Sequence, residues 1–483
     1  MEPFSQSTEN LNPDENNNFN FSQKKRNRIM LFCSILIIII IIIIIILIIS
    51  LKSNNIVINV DYIETEGELG NPLKGFVKFV NSSYKGSFPL SLEYLRLDLN
   101  KIFPEKNFID VNYLENELES AKSRKVQLII RIACDVPGKD ILPSWAKTNF
   151  KLIPYIYKDN QTYYSLDYNN ETLLSKLDYL LKQLGKKYDG DNRIAFWELG
   201  TYGHWGEYHM TYVNKTLQAT DETKKKILKM NLKYFRKTLS LIRKPEEINK
   251  NETLGYYHDC FAGIDYDNSM DKYFNRTNTW EKPLIYGFGG EIYPNIQNEV
   301  FGKEEYIKLF EEDTFKYHPT FLFHNRFYSK YKDIFEKYPT FLENRNKAER
   351  LMGYNYYAIN GKVKIEEFKN NKNKINISIK IKNKGVAPFY YEWKIYFGIL
   401  KKGDNDTIIV SEERESNLNI KGIMPNENAF WDYNIDNVKD DYLNRNNNYL
   451  LGLRIPSPVN TYVKLSNKEQ RSDGWFIISD RLN

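Results

Sequence analysis

The chain has 483 residues, 42% hydrophobic and 15% aromatic, with 68 Lys and Arg against 62 Asp and Glu. The surplus of +6 is spread along the chain rather than gathered in one segment, so it leaves no footprint of nucleic-acid binding. The 36 Tyr, 28 Phe and 7 Trp are ample for a large buried core, whereas three cysteines exclude a disulfide scaffold.

In chain order, residues 1–28 are rich in Asn, Ser and Gln and read as a disordered cytosolic tail. Residues 29–51 form one uncharged, isoleucine-rich run. At about 1.5 Å per residue it matches a hydrocarbon layer ~30 Å thick. It is longer than the apolar region of a cleaved signal peptide, and no small-x-small site follows it. Lys24, Lys25, Arg26 and Arg28 precede it and only Lys52 follows closely. The positive-inside bias therefore predicts a single-pass, type II signal-anchor: N-terminus cytoplasmic, the rest extracellular or lumenal, in the plasma membrane or secretory pathway, with the lipid bilayer met through residues 29–51. Residues 52–70 are expected to be a juxtamembrane linker or strand. Beyond the anchor, sequons begin at Asn81, Asn160, Asn170, Asn214, Asn251, Asn275, Asn376 and Asn405, eight expected glycosylation candidates of a glycoprotein. Cys33 lies in the span, so Cys134 and Cys260 are either small buried residues or one bridge.

From residue 75 onward, short apolar runs alternate with amphipathic ones. Strands are expected at 75–80, 92–99, 126–133, 194–200, 253–258, 284–289, 320–324 and 351–357. Helices are expected at 111–122, 171–187, 221–242, 303–312 and 329–338. Eight such units predict an α/β fold, a (β/α)8 TIM-like barrel over residues 71–360. After residue 360 only alternating strands remain, at 375–383, 390–400, 406–413, 448–456 and 473–479, which predicts a C-terminal all-β sandwich over 361–483. The aromatics at 389–393 read as exposed, leaving a carbohydrate-binding module open for that domain.

Parallel barrels carry their chemistry at the C-terminal ends of the strands. The third expected strand ends with Arg131 and then Asp135. The fourth leads into Glu198, His204, Trp205, Glu207 and His209 among three glycines, a set suited to stacking a sugar on an indole and protonating a glycosidic oxygen. A cluster of mutually satisfied hydrogen bonds is the bland alternative. The fifth strand ends at His258 and Asp259, the sixth places Glu291 after two glycines with Tyr293 beyond it, and the seventh adds His324. His204, Glu207 and His209 are spaced H-x-x-E-x-H, and the glycines between them disfavour the helix that a zinc motif needs, so no metal is expected. Neither a dinucleotide fingerprint nor a P-loop nor a G-x-S-x-G elbow occurs, and no cofactor is expected.

The segments NPLKGF at 71–76, YDGDNRIAFWELGTYGHWGEYH at 188–209, GYYHDCF at 255–261, GGEIYP at 289–294 and NKGVAPFYYEW at 383–393 resemble the uncharacterised family known as domain of unknown function 4832, with its N-terminal companion region 4874. The resemblance implies a barrel similar to those of glycoside hydrolases followed by a β-sandwich, and no assigned reaction. Such barrels carry an acid/base Glu after an Asn on strand four and a nucleophilic Glu on strand seven. Here no Asn precedes Glu198 or Glu207, and Glu291 falls on the sixth expected strand.

Together these features predict a membrane-anchored, glycoside hydrolase-like protein acting on an extracellular or lumenal glycan or polysaccharide. Glu207 is the expected acid/base and Glu291 the nucleophile or water-activating base. Arg131, Asp135, Glu198, His204, Trp205, His209, His258, Asp259, Tyr293 and His324 are expected to bind substrate. The alternative is a non-catalytic glycan-binding or structural cell-surface protein.

Overall fold

A computed structural model of the chain describes residues 13–50, 54–67, 69–82, 88–263, 267–368, 372–444 and 447–482. It divides into two compact units, residues 1–56, 364–375 and 435–440 in one and residues 57–363, 376–434 and 441–483 in the other. The first unit holds the helix Pro13–Ser50, the one helix among the described residues long and apolar enough to cross a membrane, over Lys25–Ile44. Membrane anchors and signal sequences share this character. Its isoleucines from Ile35 to Ile44 are exposed on all sides rather than along one stripe. The helix begins well before Ile29, so residues 13–28, expected to be disordered, are helical. Pro13 suits a first helical position, and a helix once nucleated in the apolar run propagates outward at small cost. Residues 1–12 of the expected tail, Leu51 of the expected anchor, and Lys52, Ser53 and Glu68 of the expected linker lie outside the described residues.

In the second unit the barrel expected from the rhythm of strands and helices is closed and wholly parallel. Its strands are β1 (Gly75–Phe79), β2 (Leu92–Asp98), β3 (Gln127–Ala133), β4 (Ile194–Glu198), β5 (Ser240–Ile242), β6 (Gly255–Phe261), β7 (Phe288–Ile292) and β8 (Phe321–Phe323). They neighbour one another in chain order, and β8 returns to β1 with Phe321 opposite Gly75. β3 is buried along its whole length, as a strand covered on both faces must be. Helices pack outside. In Glu171–Tyr188 the stripe Leu173, Leu177, Leu180 and Leu184 is buried, and the Asn170 side chain caps the helix by accepting from the N–H groups of Thr172 and Leu173.

One expected helix conceals a barrel strand and one expected barrel strand lies outside the barrel, and the two differences cancel in number. The helix expected over 221–242 ends at Tyr234, and the chain re-emerges as β5. A three-residue strand is too short to declare a period of two, and Leu239, Leu241 and Ile242 continue the apolar spacing of the preceding helix. The strand expected at 351–357 is not in the barrel. Leu351 closes the helix Phe341–Leu351, and Tyr356 opens the strand Tyr356–Glu367 of an antiparallel sheet. Residues 284–286, expected within a strand, lie in the short helix Lys282–Tyr286, with β7 beginning at Phe288.

C-terminal antiparallel sheets follow, as expected. One places Ile408–Asn419 at an edge beside Lys394–Lys402, then Tyr449–Pro456, which also pairs Phe476–Ser479. The other contains Asn54–Asp61, Tyr356–Glu367, Asn373–Asn383 and Asn428–Val438. The aromatics at 389–393 are not an exposed sugar platform. Phe389, Tyr390 and Trp393 are buried, the Tyr390 hydroxyl donates to the Pro283 carbonyl at 2.7 Å, and the Tyr391 hydroxyl donates to the Ala195 carbonyl at 2.5 Å. Cys134 and Cys260 are both free thiols, not a bridge.

Candidate active site

With β5 restored to the count, Glu291 lies on the seventh barrel strand and Glu207 in the loop after the fourth. Both line one cavity of about 460 Å3 at the C-terminal ends of the strands, together with Arg131, Glu198, Trp205, Asp259 and Tyr293. That volume lies within the ~300–1,000 Å3 range of ligand clefts.

The loop that presents Glu207 is tightly wound. Gly203, Trp205, Gly206 and Tyr208 all have positive φ, a conformation that costs a non-glycine residue of order 1 kcal/mol or more unless its surroundings enforce it. Those surroundings are polar and buried. The Tyr212 N–H donates to His204 Nε2 at 3.3 Å, so the proton of a neutral ring sits on Nδ1, which lies 2.8 Å from Asp135 Oδ2; Asp135 Oδ1 accepts from the Tyr155 hydroxyl at 2.7 Å. The Trp205 N–H donates to the Asp135 carbonyl at 2.7 Å. Asp135 and His204, expected to bind substrate, are buried and lie outside the lining of the cavity. They are the buried post on which the loop turns. At Gly206 a Cβ would approach the Gly200 carbonyl to 2.6 Å, so only glycine fits.

Glu291 is delivered by a different device. Between β6 and β7 the register shifts, with Gly290 opposite His258 but Ile292 opposite Phe261. Gly290 has φ +147°, and a Cβ there would lie 2.0 Å from the His258 carbonyl oxygen. The close approach and the irregular register set Asp259 and Glu291 side by side in the cavity wall. Gln297 Nε2 donates to Glu291 Oε1 at 2.9 Å and to the Ile292 carbonyl at 3.0 Å.

Arg131 is the electrostatic centre. Its Nε donates to Glu198 at 2.7 Å, Nη1 lies 3.5 Å from Glu207, and Nη2 lies 3.4 Å from Asp259. Its guanidinium sits 4.2 Å from the centre of the Tyr257 ring. Arg243, which follows β5, reaches Asp259 at 3.4 Å and Glu207 at 3.8 Å. His209 Nε2 lies 3.2 Å from Glu207.

These charges part the two glutamates. Burial alone would raise Glu207, but the hydrogen bond with His209 and the charges of Arg131 and Arg243 outweigh it and hold the carboxyl below its usual range. Burial also raises Glu291, which receives no ion pair among the described residues and faces the negative charges of Asp259 and Glu207; it is pushed up to about 8. In the unliganded site the proton therefore belongs to Glu291 and the negative charge to Glu207. The sequence expectation makes Glu207 the acid/base and Glu291 the nucleophile or water-activating base. Burial likewise raises Glu198, against the lowering influence of Arg131 and the Tyr94 hydroxyl.

Of the remaining expected residues, Trp205, Asp259 and Tyr293 line the cavity, and His209 touches it through Glu207. His258 is buried and lies behind Arg243, whose Nη1 is 3.2 Å from its Nδ1. His324 is not in the site. Its Nε2 lies 2.6 Å from the Gln297 carbonyl, among the rings of Phe76, Phe301 and Phe327. It steadies the turn that carries Gln297. Among the described residues no group of three or more His, Cys, Asp or Glu converges as a metal site.

Arg96, Tyr94, Phe79, Phe323, Arg243 and Lys158 also line the cavity, and no motif marks them. Arg243 is hidden because the strand before it carries a helix-like apolar spacing. Tyr94 and Arg96 sit within β2, where inward and outward positions alternate with no outward sign of which face is wet. Lys158 is on the loop between Leu152–Ile156 and Thr162–Leu166, a hairpin added to the barrel.

No family model and no curated protein matches the chain. Among solved structures it is similar to xylanase 10B from Thermotoga maritima, at 13% identity and a TM-score of 0.32, covering 52% of this chain and 83% of that one. It is similar to endoglucanase Cel5A from Pseudomonas stutzeri at 10% identity and a TM-score of 0.34, covering 60% and 96%. It is also similar to an exo-beta-1,4-mannosidase from Opitutaceae bacterium strain TAV5 at 8% identity and a TM-score of 0.34, covering 54% and 52%.

Proposed function

We propose that the barrel hydrolyses glycosidic bonds, with Glu291 giving its proton to the glycosidic oxygen and ionised Glu207 acting at the anomeric carbon. The observation that carries this reading is a pair of carboxylates from opposite sides of one barrel mouth, sharing a cavity but differing in proton affinity. As the C–O bond breaks, the departing alcohol takes the Glu291 proton. Glu207 either bonds to the anomeric carbon, to be displaced by water that Glu291 then deprotonates, or removes a proton from a water that attacks directly.

The remaining lining suits a sugar. Trp205, Tyr293, Phe79 and Phe323 offer ring faces and edges, and the buried Oε1 of Glu198 has no hydrogen-bond partner among the described residues, which leaves it to accept from a substrate hydroxyl. In this reading the chain belongs with the domain of unknown function 4832 proteins. The helix over Lys25–Ile44 is a type II anchor with the basic flank in the cytoplasm, and the barrel meets its glycan outside the cell or in the secretory lumen, where the sequons are open to glycosylation.

The test is a screen of the purified protein against a panel of glycans for binding and for release of reducing ends. Turnover lost in both Glu207→Gln and Glu291→Gln supports the enzyme. Binding without turnover, unchanged in both variants, supports the glycan-binding alternative.

A further inference from the structure

Glu207 and Arg243 have two sides. One faces the main cavity. The other faces a second cavity of about 260 Å3, lined also by His209, Thr211, Lys244, His258, Met270 and Tyr273. The two spaces share Glu207 and Arg243 in their linings and are therefore immediate neighbours.

The side cavity is lined by two cations and one carboxylate. Arg243 and Lys244 are adjacent in its lining, and Glu207 is its only lining carboxylate among the described residues. Arg243 also reaches Asp259 at 3.4 Å, so Lys244 is the cation with charge to spare. Glu207 is already engaged by Arg131, Arg243 and His209. Lys244 Nζ is held by the Tyr273 hydroxyl at 2.9 Å and lies 4.3 Å from that ring's centre, which fixes its direction. Its acidic neighbour Glu246 is 3.6 Å away, and both side chains are about 30% exposed, so that pair is screened and weak. His258 accepts from Arg243 and is held neutral by burial and by that neighbouring charge.

The main cavity brings Arg96, Arg131, Lys158 and Arg243 to face Glu198, Glu207, Asp259 and Glu291, and burial raises Glu198, Asp259 and Glu291 toward their neutral forms. Lys158 is exposed on its hairpin and pairs with no acid among the described residues. A concave surface with surplus positive charge concentrates anions, and a carboxylate or sulfate met by Arg and Lys forms hydrogen bonds stronger than neutral ones.

We infer that the glycan taken by this site is acidic, and that its anionic substituent, a uronate carboxylate or a sulfate or phosphate ester, seats in the side cavity against Arg243 and Lys244. The inference rests on the reading of the barrel as a glycan site. A neutral glycan would leave Lys244 with only its screened contact to Glu246 and gain nothing from Lys158.

The experiment compares binding and turnover of the full-length protein with three matched oligosaccharide sets: neutral, uronate-bearing, and sulfated or phosphorylated. The acidic ligands should bind at least tenfold tighter than neutral ones at low salt, the difference shrinking as salt rises. The set that binds tightest identifies the anion. Lys244→Met should cut the acidic-to-neutral preference at least fivefold, and Lys244→Arg should keep it. Equal affinity for neutral and acidic glycans, or a preference unmoved in Lys244→Met, overturns the inference while leaving the hydrolase reading standing. Absence of binding to every set overturns both.

Discussion

Arg131 and Glu198 face each other in register on β3 and β4, and the guanidinium Nε donates to the carboxylate at 2.7 Å with both side chains almost wholly buried. Arg131 also reaches Glu207 and Asp259, so one cation faces three acids, with Arg243 sharing the last two. Arg131→Met should destabilise the protein by about 3–5 kcal/mol, the cost of leaving buried charges unpaired, and raise the proton affinity of Glu207. Denaturant unfolding checks the first effect. The acidic limb of the pH–activity profile, moved to higher pH, checks the second.

The basic limb belongs to Glu291. Its carboxyl titrates at about 8, so activity that requires its proton should persist through neutrality and fall as pH rises past that value. The same shift sets a sign for stability. The folded state binds this proton more tightly than the unfolded chain, so the contribution is complete below the usual carboxylate range and is lost as pH climbs through about 8. Gln297→Leu removes a hydrogen bond that favours the ionised form and should move the limb upward. Glu291→Gln should flatten that part of the stability–pH curve, read by thermal unfolding from pH 5 to pH 9.

Gly290 tests how the barrel delivers that carboxyl. Gly290→Ala puts a methyl carbon where the His258 carbonyl stands, with a φ of +147° that L side chains avoid. A loss of about 3 kcal/mol or more is expected, with activity reduced beyond what partial unfolding explains. Urea midpoints and rates on the folded fraction separate the two.

Asp135 holds the Glu207 loop from below. Asp135→Ala leaves the Nδ1 group of His204 and the Tyr155 hydroxyl buried without their acceptor, about 1–3 kcal/mol each, while the barrel itself stays closed. Hydrogen exchange should quicken across residues 201–209 and turnover should fall. Unchanged exchange there would mean that the loop has another support.

Much of this was legible in the sequence. The pattern of eight strand-and-helix units named the barrel, and the dense segment from Glu198 to His209 and the GGEIYP segment named the two sides of its mouth. Tertiary context decided the rest. The brief strand Ser240–Ile242 continues a helix's apolar spacing, so Arg243 and the strand number of Glu291 were both hidden. The histidines misled for a physical reason. An imidazole at a strand end can serve substrate or backbone equally well, and only the partners of His204 and His324, a buried carboxylate and a carbonyl, tell which. Proton affinity was invisible as well, because it depends on which arginines reach each carboxylate.

The most direct measurement is the rate of glycosidic bond cleavage by wild type and by Glu291→Gln near pH 6, on whichever glycan the protein binds. Hydrolysis by wild type, reduced about 10²–10⁴-fold in the variant with glycan binding retained, is the predicted result. Equal rates in the two proteins, or binding with no cleavage by wild type, would contradict the paired-carboxylate account.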